Sequence, residues 1–109
     1  TMPKVIIDII RTADLMKANA DSQLERYGLS IPQKNVLESL YFNKKEYLTQ
    51  QQLSKFVYTS KANMSSLLER MEKKGFITRK EDSTNKRQKR VFLTKQGEKK
   101  YLELLSQFE

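Results

Sequence analysis

Apolar residues recur along this chain with two different periods. Between Pro3 and residue 27, Ile6, Ile9, Ile10, Ala13, Met16, Ala20 and Leu24 return every three or four positions, the spacing of one helix face. Pro3 suits a first helical turn and Gly28 ends the pattern. A second helix follows Ser30, which forms a capping box with Gln33, and carries the stripe Val36, Leu37, Leu40 and Tyr41 to about Asn43. Lys44-Lys45-Glu46 make a polar connector. Thr49 with Gln52 is another capping box and opens a short helix over 49–57, with Leu53, Phe56 and Val57 as its contacts. After Gly75 the period falls toward two. Residues 76–80 and 88–93 read as strands, joined by the turn-rich segment EDSTNKR at 81–87. Thr94 caps a last helix that is apolar on more than one side, through Tyr101, Leu102, Leu104, Leu105 and Phe108. The pattern predicts a mainly α chain with one small β-hairpin.

The stretch Ser60–Gly75, SKANMSSLLERMEKKG, organises the rest. Met64, Leu67, Leu68 and Met71 share one helical face, with Ala62, Ser66, Arg70 and Lys73 on or near the opposite one. Ser60 can accept an orphan N–H of the first turn, Lys73 and Lys74 complement the negative end of the helix dipole, and Gly75 stops the helix. Only Tyr58-Thr59-Ser60 separate this helix from the short one before it, so the two must pack at a large angle, as in a helix-turn-helix unit. Lys61, Asn63, Ser65 and Ser66 then lie near the N-terminus of the second helix, the end such units offer to base edges. The hairpin behind it bears Arg79, Lys80, Lys86, Arg87, Lys89 and Arg90 against only Glu81 and Asp82. It reads either as a wing for an adjacent minor groove, where arginine is favoured, or as a solvated charged hairpin.

The charge balance sharpens this picture. The 109 residues carry a formal net charge of +8. Residues 1–42 hold five basic and five acidic side chains, so the whole excess lies in 43–109, with 16 basic and 8 acidic. A neutral half and a basic half fit a scaffold joined to a surface for a polyanion; the plainer reading is a lysine-rich protein. Cysteine and histidine are absent, which removes disulfides, thiol chemistry, the usual zinc sites and the commonest general base near neutral pH. No metal or other cofactor is expected, nor an enzyme. Glu69 and Glu72 read as helix ion-pair partners, Glu69 with Lys73 at i,i+4. The run Val5–Ile10 is broken by Asp8 and lacks a cleavage pattern, so neither a signal peptide nor a membrane span is expected, and the chain reads as cytoplasmic.

The stretch from Leu48 to Gly97, and above all SKANMSSLLERMEKKGFITR followed by a wing ending VFLTKQG, resembles the winged-helix core of MarR-type transcriptional regulators. LSIPQKNVLESL, at 29–40, is similar to the family's second helix, while the first helix matches by position and character alone. The resemblance implies a winged helix-turn-helix at 29–94 between a dimerisation helix at 1–28 and a short C-terminal dimerisation helix at 95–109. It implies a homodimer on a pseudopalindromic double-stranded DNA operator, repressing nearby genes, with repression relieved by a small aromatic or lipophilic effector. Major-groove contacts carry over to Ser60, Lys61, Asn63, Ser65, Ser66 and Arg70. The family's wing pattern Asp-x-Arg becomes Asn85-Lys86-Arg87; Asn offers the arginine only a neutral acceptor, which implies a looser tip. The family also continues into a further helix that completes its dimer interface, a segment beyond Glu109.

On this reading Thr49, Lys55, Lys73, Lys74, Arg79, Lys80, Lys86, Lys89 and Arg90 are phosphate contacts, giving affinity and register. Lys61 would read guanine, Asn63 adenine, and Arg87 the minor groove. Ile6, Ile9, Ile10, Ala13, Leu102, Leu105 and Phe108 would form the dimer contact; the first helix, about 37 Å long if it spans 3–27, could instead wrap its own domain. Tyr41, Tyr58 and the first helix line either a pocket or the core. Phe92 falls on the outer face of its strand, since alternation turns Val91 and Leu93 inward. A competing reading is a winged-helix protein–protein interaction module without sequence-specific DNA binding.

Overall fold

The structure is a computed structural model, and it describes residues 24–57, 59–85 and 87–108, the last of these without its side chain. Ile6, Ile9, Ile10, Ala13, Tyr58 and Lys86 therefore lie outside the described residues, as does the Phe108 side chain. The chain divides into two compact units, residues 1–31 and 32–109.

In the first unit, residues 24–26 are the end of a helix. It closes as the sequence predicts: Gly28 adopts φ +71°, its N–H donates to Glu25 O, and the Leu29 N–H donates to Leu24 O. This double hydrogen bond around a left-handed glycine is the Schellman motif.

The second unit is built on α1 (Ile31–Phe42), β1 (Tyr47–Thr49), α2 (Gln50–Val57), α3 (Lys61–Lys73), β2 (Ile77–Glu81), β3 (Lys89–Leu93) and α4 (Lys95–Phe108). Helix α1 buries Val36, Leu37 and Leu40, and α2 buries Leu53. The capping box of α2 forms in both directions: the Thr49 N–H donates to Gln52 Oε1 at 2.9 Å, and the Gln52 N–H donates to Thr49 Oγ1 at 3.2 Å. Helix α3 is capped by Ser60, whose hydroxyl oxygen accepts the Asn63 N–H at 3.2 Å. Met64, Leu68 and Met71 on its back have no exposure at all, each contributing about 1.5–3 kcal/mol of apolar burial. Its end repeats the motif at Gly28. Gly75 sits at φ +83°, its N–H donates to Glu72 O and the Phe76 N–H to Met71 O, while Met71 and Phe76 are both buried.

The sheet has one strand more than the pattern predicts. Three strands run antiparallel in the order β1-β3-β2, so β3 is central. Strand β1 falls between the connector at 44–46 and the helix that Thr49 caps, where the sequence predicts no strand, and it pairs Tyr47 with Phe92, Leu48 with Val91 and Thr49 with Arg90. Three residues are too few to display a period of two. Leu48 and Val91 are buried on the inner face. Phe92 is on the outer face as expected, but it has company: its ring lies 5.6 Å from that of Tyr47, and Lys80 Nζ stands 5.5 Å from its centre.

Helix α4 is tied to the turn that ends α3. The Thr94 hydroxyl donates to Gly75 O at 2.6 Å and accepts the Gly97 N–H at 3.0 Å, while the Thr94 N–H donates to Phe76 O at 3.1 Å. Tyr101 and Leu104 are buried.

Candidate nucleic-acid interface

The polar face of α3 is open. Ser60, Lys61, Asn63, Ser65, Ser66 and Arg70 are all exposed, because the three buried positions of the helix draw the opposite side against the core. Glu69 and Lys73 pair at 3.6 Å along the surface of the helix. In the wing, Arg87 and Lys89 are exposed. Asn85 Oδ1 accepts the Arg87 N–H at 3.1 Å, and the Gln88 N–H donates to Asn85 O at 3.0 Å, a turn that an asparagine favours through its own side chain.

The acid that orders the wing stands at Asp82, not at the position Asn85 occupies. Asp82 Oδ1 accepts the Thr84 N–H and hydroxyl, both at 2.9 Å, and Arg90 Nη2 at 3.2 Å. These bonds, the Thr84 amide foremost and Arg90 after the hydroxyl, hold the carboxyl below its ordinary range against the opposing effect of its burial. Arg90 in turn stands over Tyr47, 4.4 Å from the ring centre, so a cation–π contact links the wing to β1.

Two of the expected phosphate contacts, Arg79 and Arg90, have partners within the fold. Arg79 follows Ile77 on the inner side of β2, and strand alternation turns it toward α3. Its guanidinium reaches Glu72 at 3.2 Å and its backbone N–H donates to the same carboxylate at 3.1 Å. Arg90 is held by Asp82 and Tyr47. Both arginines join elements of the fold together. Of the other cations in that set, Lys55, Lys73, Lys74, Lys80 and Lys89 are exposed, and Thr49 is half-buried in its capping box.

The structure brings the wing and the helix pair together in one cleft of about 380 Å³, lined by Gln50, Gln51, Ser54, Lys61, Ala62, Ser65, Arg87, Gln88 and Lys89. Three of those residues are cationic and none is acidic. At its edge Gln88 Nε2 donates to Gln51 Oε1 at 2.8 Å, across 37 residues of sequence. The sequence reading passed over Gln50, Gln51, Ser54 and Gln88. They are uncharged, so a search for basic residues cannot find them; the run Gln50-Gln51-Gln52 at a helix start is the one signal the sequence offers.

On α4, Leu102 is 43% exposed and Leu105 is half-buried. Among the described residues there is no cluster of carboxylates able to hold a metal ion, and no helix long and apolar enough to cross a membrane.

A tight helix pair with an open second helix, followed by a cationic hairpin that shares a cleft with it, defines a winged helix-turn-helix protein. The profile of the MarR family matches residues 27–88, and the chain belongs to that family. It is 32% identical over 100 residues to YwoH, an uncharacterised HTH-type transcriptional regulator of Bacillus subtilis, covering 92% of this chain and 71% of that protein. It is 33% identical over 90 residues to an uncharacterised HTH-type transcriptional regulator of Bacillus cereus, of which it spans 58%. Among solved structures, Staphylococcus aureus MepR in its DNA-binding conformation superposes with a TM-score of 0.81 at 28% identity, over 98% of this chain and 77% of MepR. The MepR–DNA complex superposes with a TM-score of 0.74 at 30% identity, over 92% of this chain and 81% of that one. AbsC of Streptomyces coelicolor, a MarR family transcriptional regulator, shares the fold with a TM-score of 0.86 at 17% identity, over 94% of this chain and 70% of that one.

Proposed function

We propose that this chain is a sequence-specific double-stranded DNA-binding repressor that acts in the cytoplasm as a homodimer on a pseudopalindromic operator. The observation that carries the reading is the cleft in which Lys61 and Ser65 of α3 face Arg87 and Lys89 of the wing with no acidic residue among them. A surface of that charge and concavity suits a phosphate backbone passing between two grooves. Helix α3 enters the major groove with Ser60, Lys61, Asn63, Ser65, Ser66 and Arg70 toward the bases. Arg87, with Asn85 and Lys86 beside it, reaches the adjacent minor groove. Lys55, Lys73, Lys74, Lys80 and Lys89 contact phosphates and fix register. Two copies place their α3 helices about 34 Å apart, one helical turn of the duplex. Leu102, Leu105 and Phe108, with Ile6, Ile9, Ile10 and Ala13, belong to the dimer contact, and a small aromatic or lipophilic effector releases the operator. The solved MepR–DNA complex, to which the chain is similar, supports the choice of ligand.

The test is a duplex selected from a randomised pool, followed by Asn63→Ala. An asparagine paired with adenine contributes about 1–3 kcal/mol of discrimination, so the variant binds the selected duplex and its adenine-substituted forms with nearly equal affinity while retaining non-specific binding. An unchanged base preference refutes the assignment.

The alternative, a protein-interaction module, draws on one feature. Phe42 and Phe56 are 66% and 60% exposed and, with Ser39, Asn43 and Leu48, line a groove that shares no residue with the cationic cleft. A chain that selects no duplex at moderate salt would favour it.

A further inference from the structure

The register of the sheet continues past its last backbone pair, and a side-chain bond takes it over. Strands β1 and β3 pair Tyr47 with Phe92, Leu48 with Val91 and Thr49 with Arg90. Two steps further along the same register, Gln51 stands opposite Gln88. By then the first chain has turned into α2, so no backbone ladder is available there. The two amides meet at 2.8 Å instead.

The backbone on each side of the bridge is fixed by other bonds. Gln51 lies in the first turn of α2, which the reciprocal bonds of Thr49 and Gln52 fix in place. Gln88 closes the wing turn with its backbone: its N–H donates to Asn85 O and its C=O accepts the Asp82 N–H, both at 3.0 Å. Its neighbours in sequence are Arg87 and Lys89, which line the cleft with it. Rotation of the wing about its base moves Gln88 and Arg87 together, and the bond to Gln51 opposes that rotation.

We infer that the Gln51–Gln88 bridge is a positioning strut. It sets the distance between the α3 face and the wing arginine, and so the number of base pairs separating major-groove readout from minor-groove readout. The inference rests on the DNA-binding reading above. Neither glutamine needs to touch a base; each acts through the placement of Arg87.

A spacing series tests it. The probe is the selected duplex, remade with its flanking A·T-rich minor-groove step moved one base pair inward or outward from each half-site. The wild-type chain prefers one spacing by about fivefold, the shift in equilibrium that one such hydrogen bond supports. Gln51→Ala, Gln88→Ala and the double variant each bring the three spacings within about twofold, with the double no flatter than either single, and all three melt as the wild type does. Gln51→Glu combined with Gln88→Lys restores the preference by rebuilding the bridge as an ion pair. Additive losses in the double variant, or an exchanged pair that fails to restore the preference, overturn the inference in favour of separate DNA contacts by the two residues. A wild type that binds duplex without any spacing preference overturns the strut alone. One that selects no duplex overturns the DNA-binding reading and the strut with it.

Discussion

The Arg79 guanidinium lies 3.2 Å from the Glu72 carboxylate, with only 12% of its side chain exposed, and so joins the last turn of α3 to β2. The same carboxylate accepts the Arg79 backbone N–H. Removing Glu72 leaves a largely covered cation and a backbone donor without that partner. Glu72→Ala is therefore expected to lower unfolding stability by about 1–3 kcal/mol in urea denaturation. Lys80→Ala, one residue further along on the exposed face, should stay within about 0.5 kcal/mol. Were Arg79→Ala to reduce the salt dependence of DNA binding with stability unchanged, the residue would be a phosphate contact after all.

Asp82 gives the wing a pH limit. Its carboxyl is held below the ordinary range by the Thr84 amide first, then by the Thr84 hydroxyl and Arg90. A group with a depressed native pKa contributes stability above its unfolded pKa and loses it as pH falls through the lower native value. The wing should thus keep its order at neutral and mildly acidic pH and loosen only below about 4, the ordinary carboxylate value. The Thr84 amide resonance in a pH titration reports this directly. A midpoint at or above the ordinary value would show that Asp82 is not the wing's anchor.

Gly97 is required by contact rather than by dihedral freedom. A methyl group built on it would stand 2.1 Å from Phe76 O and 2.8 Å from Leu93 Cδ1. Backbone cannot yield there as a side chain can, because Phe76 O also accepts the Thr94 N–H. Gly97→Ala should destabilise the fold by about 1–3 kcal/mol, even though alanine is the better helix former. Thermal unfolding checks it; an unchanged or higher midpoint would place α4 differently.

What the sequence could declare was whatever is local. The Thr49–Gln52 box, the Ser60 cap and the glycines at 28 and 75 are written within four or five residues, and each forms as read. The hairpin was legible from its change of period. Strand β1 was not, because its three residues acquire meaning only from Val91 and its neighbours, more than 40 positions away. The site divides in the same way. Charge counting points equally to Lys61 and Arg87, which are exposed, and to Arg79 and Arg90, whose faces are decided by strand alternation and by their partners Glu72, Asp82 and Tyr47. The family pattern puts an acid at residue 85, beside Arg87; the wing's bonded carboxylate is instead Asp82, which holds Thr84 and Arg90. Gln51 and Gln88 carry no charge and no periodicity, and only the folded register reveals them as a pair.

The central claim is that α3 and the wing grip one duplex in two grooves at once, and the measurement that tests it most directly is a paired footprint of wild type and Arg87→Ala on the selected duplex. Methylation protection reports guanines in the major groove, and hydroxyl-radical cleavage reports the minor groove. Wild type should protect two major-groove patches one helical turn apart, flanked by minor-groove protection. Arg87→Ala should keep the first, lose the second and bind with a flatter salt dependence, since a cation no longer displaces counterions there. Identical footprints and salt slopes for the two proteins would contradict the account.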